Sequence, residues 1–117
     1  MTNATAQDLV AAAKAEGPAI SCDEYRALRA GGESHVLIDV REKEEFDAGH
    51  IEGAVNIPRG VLEFKIGEAV PDKPANIIVQ CASGGRSALC GQALHALGYA
   101  NVRNLEGGYT EWCKTNG

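Results

Sequence analysis

The chain has 117 residues, a formal charge of −5 and a near-average apolar fraction, which fits one soluble globular domain. It has no basic tract and no apolar run long enough to span a bilayer, which argues against nucleic acid or a membrane as partner. The N-terminus lacks the positive start and long apolar stretch of a secretory signal, so a cytoplasmic protein is expected, with its four cysteines reduced.

Residues 5–16, TAQDLVAAAKAE, are alanine-rich and favour a helix, with Gly17 and Pro18 to stop it. AIS (19–21) reads as a short strand. Ser21 and Glu24 have capping-box spacing and open a helix through Arg29, closed by Gly31 and Gly32. VLID (36–39) is a continuous apolar run ending in an acid, the pattern of a strand buried on both faces. EKEEFDAG (42–49) is a short charged helix, and GAVNIP (53–58) a strand ending in proline. GVLEFKIGEAV (60–70) has mixed helical spacing and gives no clear pattern. NIIVQ (76–80) is the clearest strand. A helix follows over 86–97, then a short strand, NVRNL (101–105), and a terminal helix over 108–114. Strands and helices alternate, so the fold class is α/β, with a parallel sheet covered on both sides. Ligands of such sheets bind beyond the carboxyl ends of the strands, where Asp39-Val40-Arg41 and the segment after Gln80 both fall.

That segment, CASGGRS (81–87), joins a buried strand to a helix through small residues. Backbone N–H groups converge in such a turn, and the helix N-terminus adds partial positive charge. The anion suited to it is the thiolate of Cys81, activated without a histidine base. Gly84 and Gly85 let the amides turn inward, while Ala82 and Ser83 keep the mouth open. Arg86 offers a planar set of donors to an oxyanion, and Ser87 either caps the helix or hydrogen-bonds the sulfur. Cysteine phosphatases share a cysteine, an amide cradle and an arginine, but with five intervening residues and a histidine before the cysteine. Here four residues separate Cys81 from Arg86, and Gln80 precedes the cysteine. The tighter ring suits one extra sulfur on Cys81 better than a tetrahedral phosphate.

Three stretches in order, IDVREKEEFDAGHIEGAVNIP (38–58), CASGGRS (81–87) and NVRNLEGGYTEW (101–112), resemble the single-domain rhodaneses, thiosulfate sulfurtransferase-type modules. The resemblance implies a five-stranded parallel sheet with helices on both faces, spanning residues 18–117. It implies transfer of sulfane sulfur from thiosulfate or a persulfide, through a Cys81 persulfide, to cyanide, a thiol or a protein cysteine. Residues 82–87 would bind the donor and the persulfide. It requires no metal or organic cofactor. The alternatives are a non-enzymatic sulfur carrier or partner-binding module and, from the same chemistry, a phosphatase or arsenate reductase. Monomer is the expected state.

Asp39 and Arg41 match the family's Asp-Val-Arg. Asp39 either orients Arg86 or the loop or belongs to a structural ion pair; Arg41 is read as a structural ion pair, with Glu45 for example. His50 is read as a structural hydrogen-bonding group, and His35 and His95 as surface residues. Arg59 follows NIP, either near the site's mouth or as a surface charge. Cys90 forms a core stripe with Leu94 and Leu97. Cys22 is read as incidental. Cys113 is read as outside the chemistry, the alternative being a second thiol that accepts sulfur or closes a disulfide with Cys81. Tyr109 and Trp112 are expected to pack the terminal helix on the sheet, and Gly107 and Gly108 to form a turn of positive φ. Residues 1–17 precede the module's usual start as an added helix, a disordered leader or a partner-binding element, expected to be the least ordered part.

Overall fold

The computed structural model describes residues 4–115. The expected sheet of five parallel strands is present: β1 (Ala19–Ile20), β2 (Val36–Asp39), β3 (Val55–Asn56), β4 (Ile77–Gln80) and β5 (Val102–Leu105). They lie in the order β1-β5-β4-β2-β3. Six α-helices connect and flank them: α1 (Ala6–Glu16), α2 (Cys22–Ala30), α3 (Lys43–Ala48), α4 (Leu62–Ala69), α5 (Gly85–Ala96) and α6 (Gly108–Thr115). A 3-10 turn at Arg59–Val61 leads into α4. Among the described residues no helix is long and apolar enough to cross a membrane.

The two-residue period of β4 divides the interior in two. Ile77 and Val79 point to one face with Ile38 and Val40 of the neighbouring chain segment, and there α4 and α5 bring Leu62, Ile66, Cys90 and Leu94. Ile78 points to the other face with Leu37 and Leu105, under Tyr25 of α2 and the half-buried Tyr109 and Trp112 of α6. Each fully buried side chain of this size contributes about 1.5–3 kcal/mol of transfer free energy. A strand that serves two cores must be apolar at every position, which is why VLID and IIVQ are the plainest strand signals in the chain. The segment over 60–70 becomes helical because Leu62, Ile66 and Val70 face inward at four-residue spacing. Phe64, which confuses that spacing, points outward and is 86% exposed.

The register puts Asp39 beside Gln80, and the ladder runs one step further, Val40 N donating to Gln80 O at 2.9 Å. Cys81 therefore leaves the carboxyl end of the central strand, between β5 and β2. At the front of the chain the expected helix is present: residues 6–16 form it, with a Thr5–Asp8 capping box, and it docks on α5 through the buried Ala13. Small residues at the contact are the reason: Ala13 is the one buried alanine of α1, and Val10 lies against Gly85, so the two helices approach closely. Residues 1–3 of the expected leader lie outside the described residues.

Candidate active site

The loop from Cys81 to Gly84 turns directly into α5, whose N-cap is Gly84 in the left-handed region at φ 98°. A helix leaves its first amides without internal partners. Here the Cys81 sulfur meets them. The Gly84 amide donates to Sγ at 3.1 Å and the Ser87 hydroxyl reaches it at 3.4 Å. Burial, with Cys81 only 1% exposed, pushes the thiol upward. The Ser87 hydroxyl and the amides of Ser87, Ser83 and Gly84 outweigh that, so the thiol titrates below its ordinary value. No histidine takes part. Ser87 thus serves the sulfur, and Cys81 itself occupies the place of a capping side chain.

Two residues outside the site read from the sequence hold this arrangement. Asn104 of β5 is buried; its Oδ1 lies 2.5 Å from Ser87 Oγ and competes with the Cys81 sulfur for the one hydroxyl proton, and its Nδ2 donates to Gly84 O at 3.1 Å. It therefore ties together both ends of the cradle. The signal was a polar residue at a buried position of a strand whose other buried positions, Val102 and Leu105, are apolar. Glu45 of α3 is the second. It accepts from both terminal nitrogens of Arg86, at 2.8 and 3.0 Å. These hydrogen bonds, with one from the Glu42 amide, lower the Glu45 carboxyl to about 2. Arg86 is held above its ordinary range, first by Glu45 and further by Cys81.

Arg41 is in the structural ion pair expected of it, but its partner is Asp39 rather than Glu45, and Asp39 does not reach Arg86. Instead Asp39, fully buried, binds Arg41 through both carboxylate oxygens, and Arg41 Nη2 also donates to Gly49 O at 2.7 Å. An extended chain brings i and i+2 to the same face, so Asp39 and Arg41 meet each other before either meets the loop. The Arg41 guanidinium also lies over the Tyr109 ring, 4.5 Å from its centroid.

The front of the loop is held by α6. The amides of Tyr109 and Thr110 donate to the carbonyls of Cys81 and Ala82, at 2.8 and 3.0 Å. With those carbonyls directed at α6, the following amides are left to face the sulfur. Gly107 and Gly108 have φ of 76° and 60°, and any Cβ on Gly108 would collide with Cys81 O. From behind, Val10 of α1 lies against Gly85, at 3.4 Å from where a Cβ would stand. The strand residue Gln80 donates from Nε2 to Cys81 O at 2.8 Å.

The remaining candidates lie apart. Cys90 is buried, and burial pushes its thiol up to about 12, which leaves it inert. Leu97, read with it as core, stands at the end of α5 and is 38% exposed. Cys22 is buried, with its thiol directed at Glu106 O; burial raises it as well. Cys113 is exposed and free. His50 binds Phe46 O and stacks on the Phe46 ring, a structural role. His35 is not a plain surface residue: it bridges the Tyr25 hydroxyl and Glu33 O. Arg59 lines the same groove as Arg86. Among the described residues no cluster of His, Cys, Asp and Glu is placed to hold a metal ion.

Comparison with known proteins agrees with this geometry. The family model described as Rhodanese-like domain matches residues 21–115. Uncharacterized protein YqhL of Bacillus subtilis is 42% identical over 85 residues, covering 73% of this chain and 66% of its own length. The chain thus spans about two thirds of that relative. The human Thiosulfate:glutathione sulfurtransferase is 36% identical over 111 residues, 84% of this chain and 95% of its own. Among solved structures, protein RPA3614 of Rhodopseudomonas palustris, titled a possible tyrosine phosphatase, matches with a TM-score of 0.89 at 25% identity. That match covers 100% of this chain and 95% of the other, so it includes α1. The chain belongs to the rhodanese-like domain family.

Proposed function

We propose that the protein is a sulfurtransferase that carries sulfane sulfur on Cys81. The observation that carries this reading is the hydrogen-bonded, lowered Cys81 thiol at the mouth of α5. The human relative's name supports the reaction class.

The Cys81 thiolate attacks the outer sulfur of thiosulfate or of a persulfide. The donor's S–S bond breaks as the Cys81 S–S bond forms, and sulfite or a thiolate leaves. Charge is conserved, and no electrons are exchanged with the surroundings. The anionic persulfide then sits among the amides of residues 82–87, stabilised as an oxyanion hole stabilises its oxyanion. Ala82 and Ser83 leave room for the added sulfur; Gly84 and Gly85 supply unhindered amides; Ser87 donates its hydroxyl. Arg86 orients the donor's leaving group, and Asp39 with Arg41 supports the sheet end behind the loop. A thiophile, cyanide in an assay or a thiol or protein cysteine in a cell, attacks the outer sulfur and frees Cys81. The catalytic domain is residues 18–117, with 1–17 an added helix that backs the loop. The protein works as a monomer in the cytoplasm, and the cycle draws on no metal or cofactor.

A phosphatase reading of the same loop is disfavoured by its length: only four residues separate Cys81 from Arg86, with Gln80 before the cysteine, and the tight turn fits one added sulfur better than a tetrahedral phosphate. Thiocyanate formation from cyanide, with thiosulfate or a persulfide as donor, tests the proposal beside release of phenolate from an aryl phosphate. Thiocyanate without phenolate is expected; the reverse would overturn the assignment. Slow transfer to every small acceptor, with fast transfer to a protein thiol, would assign a carrier.

A further inference from the structure

The groove beside Arg86 has a charge balance unlike that of a dianion site. Arg59 and Arg86 line it with Glu42 and Glu63, and Glu45 is bound to Arg86 itself. Two cations therefore face three carboxylates, on a chain whose formal charge is already −5. One wall is apolar: Phe64, 86% exposed, stands with Leu89 along a groove of about 660 Å³. That space exceeds what a thiosulfate ion fills. Arg86, the cation nearest the sulfur, is neutralised before any donor arrives, and the Glu45 carboxyl remains ionised at every physiological pH.

We propose that Glu45 is a specificity-determining residue, a charge filter that directs the site toward monoanionic donors with an organic leaving group and away from thiosulfate. This rests on the sulfurtransferase reading above. The chemical class is a thiosulfonate or an uncharged-bodied persulfide. The step balances as before: the thiolate takes the outer sulfur, one S–S bond breaks as another forms, and a sulfinate or thiolate departs. A dianion meets repulsion from the net negative charge of the groove, two cations against three carboxylates, whereas a monoanion meets half of it and gains contact with Phe64 and Leu89.

Methanethiosulfonate is the probe, because it replaces one oxyanion of thiosulfate by a methyl group and keeps the same sulfane sulfur. Single-turnover loading of Cys81 is followed by mass with both donors, for the wild type and Glu45→Gln. Glutamine keeps the acceptor for Arg86 and the N3 place in the α3 capping box. Intrinsic donor reactivity cancels in the ratio between the two proteins. The expected result is a relative gain for thiosulfate of about tenfold in the variant. Thiosulfate loading by the wild type rises with ionic strength, and this rise is blunted in the variant. Glu63→Gln, on the exposed side of the groove, shifts the ratio in the same direction by a smaller factor and stands in should Glu45→Gln fold poorly. An unchanged donor ratio in folded variants overturns the filter while leaving sulfur transfer intact. If neither donor loads Cys81 in the wild type, the sulfurtransferase reading falls, and the filter with it.

Discussion

Gly108→Ala is the sharpest perturbation of the loop that leaves its own residues unchanged. Gly108 has a φ of 60°, and a Cβ there would stand 2.8 Å from both the carbonyl carbon and oxygen of Ala82, closer still to Cys81 O. The left-handed conformation costs a non-glycine residue about 1 kcal/mol. Forcing a methyl group against rigid backbone adds about 1–3 kcal/mol. Their sum, about 2–4 kcal/mol, lowers the melting temperature by roughly 10 °C for a chain of this size. The atoms in the way are the two carbonyls that α6 holds, so relief of the clash must turn them and draw the amides off the Cys81 sulfur. The thiol pKa then rises. Gly53→Ala is the control: φ is 89°, and nothing lies within 4 Å, so only the conformational cost applies. Melting curves and the pH dependence of Cys81 alkylation by iodoacetamide measure both effects. If Gly108→Ala melts like Gly53→Ala and its thiol titrates as in the wild type, α6 does not shape the cradle.

Three further outcomes follow from the site. Ser87→Ala removes a donor to the thiolate, so the Cys81 pKa rises; an unshifted alkylation profile would make the Ser87 hydroxyl a partner of Asn104 alone. Glu45 has a depressed folded-state value, so its contribution is present above its ordinary 4.5 and is lost as pH falls through about 2. The melting difference between wild type and Glu45→Gln is therefore constant near neutrality and shrinks between those limits, by a modest amount because the pair is 36% exposed. A difference that grows in acid would contradict this sign. Ala13→Asp places a charge in the α1–α5 contact, lowers stability by about 2–4 kcal/mol and speeds hydrogen exchange at Gly84 and Gly85, while sulfur loading persists. Loss of loading would place α1 in the chemistry itself.

What the sequence disclosed divides along physical lines. The central strands were legible because burial on two faces demands unbroken apolar runs, as in IIVQ and VLID. The cradle was legible because a cysteine, two glycines and a helix start are local in the chain. The partners of charged side chains were not. Arg41 and Arg86 each have several carboxylates within reach, and only the packing of α3 against the loop assigns Glu45 to Arg86 and leaves Asp39 to Arg41. Asn104 was hidden for a related reason: its partners are 17 and 20 residues away in the chain, brought together by the β4–β5 pairing. The docking of α1 escaped because propensity alone makes an alanine-rich helix of that length marginal, whereas tertiary packing on α5 holds it.

The central claim is that Cys81 alone carries the sulfur, and one experiment bears on it most directly. Reduced wild type, Cys81→Ser, Cys90→Ser and Cys113→Ser are weighed intact after brief exposure to thiosulfate and to methanethiosulfonate, then again after cyanide. The account predicts one added sulfur on every protein except Cys81→Ser, removed by cyanide as thiocyanate. Added sulfur on Cys81→Ser, or its loss in Cys113→Ser, would contradict it.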